Sequence, residues 1–210
     1  MPILPEELLI NVISHAGIGG LKGYNRTIAV WPTLENIYPL LNILKVWLDS
    51  DEIGNANIAN KLSFVRNMSV NCSQIINLDA SALSNLTNLT SLDLSGCPSL
   101  LDVSALHSLT TLTTLRLSMC PSLLDISALR YLTNLTSLNL SMCTSRSDVS
   151  ALHSLTNLTS LDLYGCRSLS DISALSNLTN LTRLVLSYTA VSQPDIDQIR
   201  LDLPDTDIRH

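Results

Sequence analysis

The chain has 210 residues, enough for one solenoid or for one to two ordinary domains. Apolar residues make up 46% of it but aromatic residues only 4%, so its core has to be built from Leu, Val, Ile and Ala rather than from large rings. A net charge of −6, a pI near 5.0 and the lack of any Lys/Arg cluster argue against nucleic acid as the main partner, because phosphate binding needs a basic stripe.

The N-terminus, Met1 to Glu7, lacks the basic start and apolar run of a signal peptide. No stretch reaches the roughly 18 apolar residues of a membrane span. A cytoplasmic location without membrane association follows as the expectation, or an intracellular one in the host cell if the chain is viral. Residues 1–61 carry no internal repeat. Leu4 to Ser14 predicts one helix, whose first turn suits Pro5 and the pair Glu6 and Glu7. Gly17, Gly19, Gly20 and Gly23 break the pattern, and Leu34 to Leu48 predicts a second helix. Together they read as a helical N-terminal cap.

From residue 62 to 203 the chain repeats, in about six coils. Leu86, Leu109, Leu132, Leu155 and Leu178 each open a Leu-Thr-x-Leu-Thr segment and stand 23 residues apart. Leu92, Leu115, Leu138, Leu161 and Leu184 keep the same step, as do Leu94, Leu117, Leu140, Leu163 and Leu186. The first copy, with Leu62, Val65, Met68 and Val70, is one residue out of step and predicts a 24-residue coil. In Leu92-Asp93-Leu94 the leucines point one way and Asp93 the other, which is strand alternation. Each coil should therefore add one short strand to a parallel sheet, with leucines inside. Asp102, Asp125, Asp148 and Asp171, with Asp79 before them, are placed to accept backbone N–H bonds at the start of a helical turn on the opposite side. So short a unit leaves room for about one turn, of α or 3₁₀ type. Gln193 to Leu203 predicts a last helical turn stopped by Pro204, and residues 204–210 a final extended edge.

The unit Leu-Thr-Asn-Leu-Thr-Ser-Leu-Asp-Leu-Ser-Gly-Cys at Leu86 to Cys97 resembles the leucine-rich-repeat pattern L-x-x-L-x-L-x-x-N/C. Its Asp-Ile-Ser-x-Leu cadence is similar to the short repeats of bacterial internalin-type proteins, and to repeat arrays in some protist and large-virus proteins. The resemblance implies an α/β fold: a right-handed solenoid with a parallel sheet on its concave face and short helical or 3₁₀ turns on its convex face. Residues 4–13, Leu4-Pro5-Glu6-Glu7-Leu8-Leu9-Ile10-Asn11-Val12-Ile13, resemble the start of F-box domains, which implies a Skp-type adaptor as partner. The resemblance stops there, since the Gly-rich segment from Ala16 to Gly23 stands where that family has its second helix and no Val-Cys-x-x-Trp stretch follows.

Residues that could carry chemistry do not assemble into a catalytic pattern. No P-loop, Gly-x-Ser-x-Gly, His-Glu-x-x-His or dinucleotide fingerprint is present. Cys97, Cys120, Cys143 and Cys166 form a column with one thiol per coil, unlike the paired ligands of a zinc site. With the fifth cysteine, Cys72, making an odd count, all five are expected to be free thiols, those of the column buried. His107 and His153 stand two coils apart in a convex column with Arg130 between them, too far apart to act as a pair. Repeated Asn-x-Ser/Thr triplets, among them Asn134, Asn157 and Asn180, would crowd adjacent coils with sugars in a eukaryotic secretory pathway, which again favours an intracellular setting.

What varies between copies is the outward side of the strands. The middle column reads Asp93, Arg116, Asn139, Asp162 and Val185, while the scaffold around it is nearly constant. Asp93, Arg116, Asn139, Asp162, Tyr164, Arg183 and Tyr188 are the candidate contact residues, with Tyr and Arg the anchors that dominate interface energetics. The expected function is a non-enzymatic protein–protein interaction module without metal or cofactor. The alternatives are an F-box-type ubiquitin-ligase adaptor and an adhesin or virion structural component.

Overall fold

The computed structural model describes residues 45–48, 67–70, 83–84, 86–145 and 147–210, the first two segments as backbone. The described strands are β1 (Lys45–Leu48), β2 (Asn67–Val70), β3 (Ser91–Asp93), β4 (Thr114–Arg116), β5 (Ser137–Asn139), β6 (Ser160–Asp162), β7 (Arg183–Val185) and β8 (Asp207–Arg209). They lie in chain order in one sheet, every neighbouring pair parallel. Only a coil that returns to its starting side after each strand can produce that order, so the sheet is the wall of a solenoid.

Register explains the core. Leu92, Leu115, Leu138, Leu161 and Leu184 are paired strand to strand, and each is at most 1% exposed. The second leucine of each coil, from Leu94 to Leu186, is equally buried and belongs to the same continuous core. Removing one such side chain from water is worth about 2 kcal/mol, and the repeat multiplies that gain in every coil. The pairing of Met68 with Leu92 confirms the 24-residue step of the first copy.

One expectation is corrected here. Lys45–Leu48 is a strand paired with Asn67–Val70, not the end of a helix over 34–48. The physical reason is the sheet edge: β2 offers a full row of backbone donors and acceptors, and pairing satisfies the backbone of both segments at once. The predicted helix over Leu4 to Ser14 and the F-box-like segment lie outside the described residues.

Opposite the sheet run 3₁₀ turns: η1 (Ser104–Ser108), η2 (Ser127–Tyr131), η3 (Ser150–Ser154) and η4 (Ser173–Leu175). The aspartates hold them as anticipated. The N–H groups of Ser104, Ser127, Ser150 and Ser173 donate to Oδ1 of Asp102, Asp125, Asp148 and Asp171 at 2.7–2.9 Å. At Asp171 the bonds from the backbone and then the side chain of Ser173 hold the carboxyl below its ordinary range.

Coils are also tied to one another by side chains, which accounts for a surface rich in Ser, Thr and Asn. Asn134, Asn157 and Asn180 donate through Nδ2 to the carbonyls of Thr110, Thr133 and Thr156, each at 2.8 Å. Thr113, Thr136, Thr159 and Thr182 hydroxyls donate to the carbonyls of Thr90, Thr113, Thr136 and Thr159 at 2.9–3.1 Å. At the far end, helix α1 (Gln193–Asp202) starts at the Ser192 cap with Pro194 in its first turn. It lays Ile196 and Ile199 on the core, which Leu203 extends beyond the helix, and β8 then pairs with β7.

Candidate partner-binding face

Beyond the row that runs from Ser91 to Arg183, three columns make up the outward side of the strands and the turns after them. The first is the middle column. Arg116 is exposed and Asp93, Asn139 and Asp162 are half-buried, whereas Val185 is buried. Asp93, Asn139 and Asp162 share a structural task that their spacing did not advertise. Their Oδ1 atoms accept the N–H of the residue two places on, Ser95, Ser141 and Tyr164, at 2.8–3.0 Å. These Asx turns bend the chain out of the strand. An oxygen of each is therefore engaged within its own coil, while Arg116 and Val185 have no such side-chain acceptor, and of these two only Arg116 is exposed.

The second column is Ser95, Ser118, Ser141, Tyr164 and Ser187. Ser118 donates its hydroxyl to that of Ser95 at 2.9 Å. Tyr164 departs from this serine row and projects into solvent.

The third column was not visible as a unit in the sequence. Gly96, Met119, Met142, Gly165 and Tyr188 all have positive φ, between 55° and 73°. They stand 23 residues apart, immediately before the cysteine position of each coil. Stacking imposes this conformation. The N–H groups of Gly96, Met119, Met142 and Gly165 each donate to the carbonyl of Ser118, Ser141, Tyr164 and Ser187 in the next coil at 2.7–2.9 Å, and the chain must then turn sharply inward to bury the following side chain. Glycine takes such a backbone freely; Met or Tyr there costs about 1–2 kcal/mol. Burial does not offset that cost, since Met119, Met142 and Tyr188 are 56%, 40% and 70% exposed. The rings of Tyr164 and Tyr188 meet edge to face at 5.2 Å between centroids. The thioether of Met142 rests over Gly165, where an added Cβ would lie 2.6 Å from Sδ. The signal that would have found the row is the alternation of Gly with Met and Tyr in one repeat column, since Gly at a fixed address marks a positive φ.

The cysteine column faces inward. Cys120, Cys143 and Cys166 are fully buried free thiols, and each donates to the carbonyl of the strand-end leucine one coil back, at 3.1–3.4 Å. Burial pushes the Cys120 thiol from about 9 up to about 11. The expectation of five free thiols is corrected, because Cys97 is disulfide-bonded, to a residue outside those described.

On the opposite side, His107 and His153 are exposed, and their Nδ1 atoms lie 2.8 and 2.7 Å from the carbonyls of Ser104 and Ser150, fastening the turn. Arg130 lies over the ring of Tyr131 at 5.1 Å. Among the described residues, no group of three or more His, Cys, Asp or Glu could hold a metal ion, and no helix is long and apolar enough to cross a membrane.

Two solved structures share this arrangement. An internalin (inlF) of Listeria monocytogenes strain 4b F2365 matches at 33% identity with a TM-score of 0.63, over 70% of the chain. Internalin C2 of the same strain matches at 22% identity with a TM-score of 0.57, over 80% of the chain and 81% of its own length. The chain is a leucine-rich-repeat protein. It spans 41% of the length of the first internalin, and the second likeness speaks for the fold alone. No protein-family model matches the chain, and no curated protein does. Of the residues singled out from sequence, this leucine-rich-repeat sheet carries Asp93, Arg116, Asn139, Asp162 and Arg183 on its strands and Tyr164 and Tyr188 on the turns just beyond them. The two tyrosines are brought into contact; Arg116 and Arg183 stand three coils apart.

Proposed function

We propose that this leucine-rich-repeat protein is a non-catalytic module that binds a protein partner on the strand side of the solenoid. Asp93, Arg116, Asn139, Asp162, Tyr164, Arg183 and Tyr188 are the residues offered to it. The observation that carries the reading is the contrast between a repeated scaffold and an outward side that departs from the repeat at Arg116, Tyr164, Arg183 and Tyr188. All four are exposed, and Tyr and Arg are among the residues most enriched at binding hot spots. The test is a pull-down against candidate partners with the wild-type chain and the double variant Arg116→Asp/Tyr164→Ala. Loss of a specific partner with an unchanged unfolding midpoint supports the reading; equal capture by both proteins sinks it.

The setting is a separate question. Structural disulfides are concentrated in oxidising compartments and rare in the cytosol, so the bridge at Cys97 favours a surface adhesin over the cytoplasmic adaptor. The ubiquitin-ligase reading rests on residues 4–13, outside the described residues. Capture by a Skp-type adaptor, lost on Leu8→Asp/Ile13→Asp, would be its support.

A further inference from the structure

We propose that His107, Arg130 and His153, with Tyr131 as the platform for Arg130, form a second binding site on the 3₁₀ side of the solenoid. Its ligand is an oxyanion of the sulfate or phosphate class, and acid pH turns the site on. It lies on the opposite side from the proposed partner face and does not depend on that reading.

The repeat gathers the basic groups. One address on this side reads Ser84, His107, Arg130, His153 and Ser176, so three successive coils carry a base and both neighbours of the run are neutral. Stacking sets them about 4.8 Å apart from coil to coil. Tyr131 joins two of them. The guanidinium carbon of Arg130 lies 5.1 Å over the centroid of its ring, and the His107 ring meets it edge-on at 6.4 Å between centroids. Tyr131 breaks a column that otherwise holds Ser108, Ser154 and Asn177, and it stays 52% exposed. The three basic side chains are exposed as well, and neither salt bridge among the described residues involves Arg130. A guanidinium held over a ring keeps N–H donors at its rim, and these take oxygen atoms in pairs.

Both imidazoles are held in the same way. Their Nδ1 atoms lie 2.8 and 2.7 Å from the carbonyls of Ser104 and Ser150, and a carbonyl only accepts, so Nδ1 is the nitrogen that carries the proton. Nε2 has no hydrogen bond among the described residues and bears the lone pair of the neutral ring. That lone pair repels an oxyanion. On protonation the same atom becomes an N–H donor and the ring gains a charge, so each histidine passes from opposing the anion to binding it. Imidazole is the side chain that makes this change between about pH 5 and 8.

Neighbouring charges set the balance. The acids of these turns are Asp102, Asp125, Asp148 and Asp171, each at the entry of its turn with Oδ1 held by a serine N–H. The bases stand at the exits. Five residues at a rise of about 2 Å separate Asp102 from His107 by roughly 10 Å, about one Debye length at 0.1 M salt. An anion over Arg130 therefore meets the bases at close range and the acids through screening. The charged residues of helix α1 begin two coils beyond His153. A metal ion does not fit the same groups. The two histidines are two coils, ~9.6 Å, apart with a cation between them, whereas one zinc ion holds its nitrogens at about 2.1 Å.

The experiment is an NMR titration of the full chain with sodium sulfate at constant ionic strength, followed on the imidazole C–H resonances. Sulfate keeps its charge between about pH 5.5 and 8, so a pH dependence belongs to the protein. Saturable shifts are expected at about pH 5.5 in the two resonances that His107→Gln and His153→Gln remove, with binding at least about tenfold weaker at about pH 8. Arg130→Gln should weaken binding by about tenfold. Tyr131 is a positioning residue, so Tyr131→Leu should weaken binding by about threefold and Tyr131→Phe, which keeps the ring under Arg130, should not. These side chains are exposed, and the melting temperature should stay unchanged. His210, whose Nδ1 lies 3.1 Å from Arg200, is the internal control. An equal response there overturns the proposal, because sulfate then collects wherever basic groups meet. So does equal binding at the two pH values, or binding that Arg130→Gln leaves intact. A peptide bearing O-sulfotyrosine between uncharged flanks separates the sources. Tighter binding than free sulfate supports an oxyanion carried by a partner, binding no tighter supports the free anion, and failure of both overturns the site.

Discussion

Gly96 and Gly165 occupy the same place in two coils, with φ of +73° and +68°, yet their surroundings differ. Alanine at either site meets the left-handed cost of about 1–2 kcal/mol, offset by some 0.4–1 kcal/mol from the stiffer unfolded chain. At Gly96 nothing among the described residues lies within 4 Å of the added Cβ, so Gly96→Ala should destabilise by about 0.5–1 kcal/mol. At Gly165 the new Cβ would stand 2.6 Å from Sδ of Met142, and the thioether has to swing away. Displacing a flexible side chain from its rotamer adds about 0.5–1.5 kcal/mol, so Gly165→Ala should cost about 1–2 kcal/mol in total. Urea unfolding followed by circular dichroism measures both, and a double-mutant cycle isolates the cause. In a Met142→Ala background the extra cost at Gly165 should vanish, leaving the two glycines equivalent. Equal costs in the wild-type background, or a gap that survives Met142→Ala, would refute the idea that Met142 is seated on Gly165.

Further outcomes follow from the same coordinates. Leu138→Ala, in the middle of the leucine stack, should lower stability by about 3–4 kcal/mol in the same unfolding assay. Asn157→Ala removes the 2.8 Å bond to the Thr133 carbonyl and should cost about 1 kcal/mol, with Asn134→Ala similar. Thiol counting after denaturation should find three reactive cysteines without reductant and five after reduction, with Cys120, Cys143 and Cys166 unreactive in the native protein. Because Cys120 titrates higher folded than unfolded, its contribution to stability is full below about pH 9 and is lost as pH rises toward about 11; Cys120→Ala should flatten that alkaline limb. At the other extreme Asp171, whose pKa is lowered, contributes above the ordinary carboxylate range and loses its contribution as pH falls through the folded value, a dependence that Asp171→Asn should remove.

The strand face was legible to different degrees at different residues. Tyr164 was found because it breaks a repeating serine column, Arg116 because its column varies, and Tyr188 only by its residue type. Asp93, Asn139 and Asp162 also varied, but the structure binds an oxygen of each to the backbone two residues on, so their variation is partly between interchangeable turn formers. Met119 and Met142 were passed over because a methionine alone does not signal a left-handed backbone; only Gly96 and Gly165 at the same address do.

Sequence periodicity by itself determined the period, the leucines of the core, the parallel stacking and the aspartate-held turns. A 23-residue step gives every residue an address in its coil, and side-chain alternation decides which addresses point inward. The tertiary structure alone decided the rest. Lys45–Leu48 became a strand because a neighbouring edge was there to pair with, and the bridge at Cys97 had no mark in a column of otherwise equivalent cysteines. The left-handed row exists because the N–H groups of its first four members are held by the following coil while the next side chain turns into the core. These are properties of one coil set against another, some 23 residues away along the chain, and a pattern read within a single coil does not contain them.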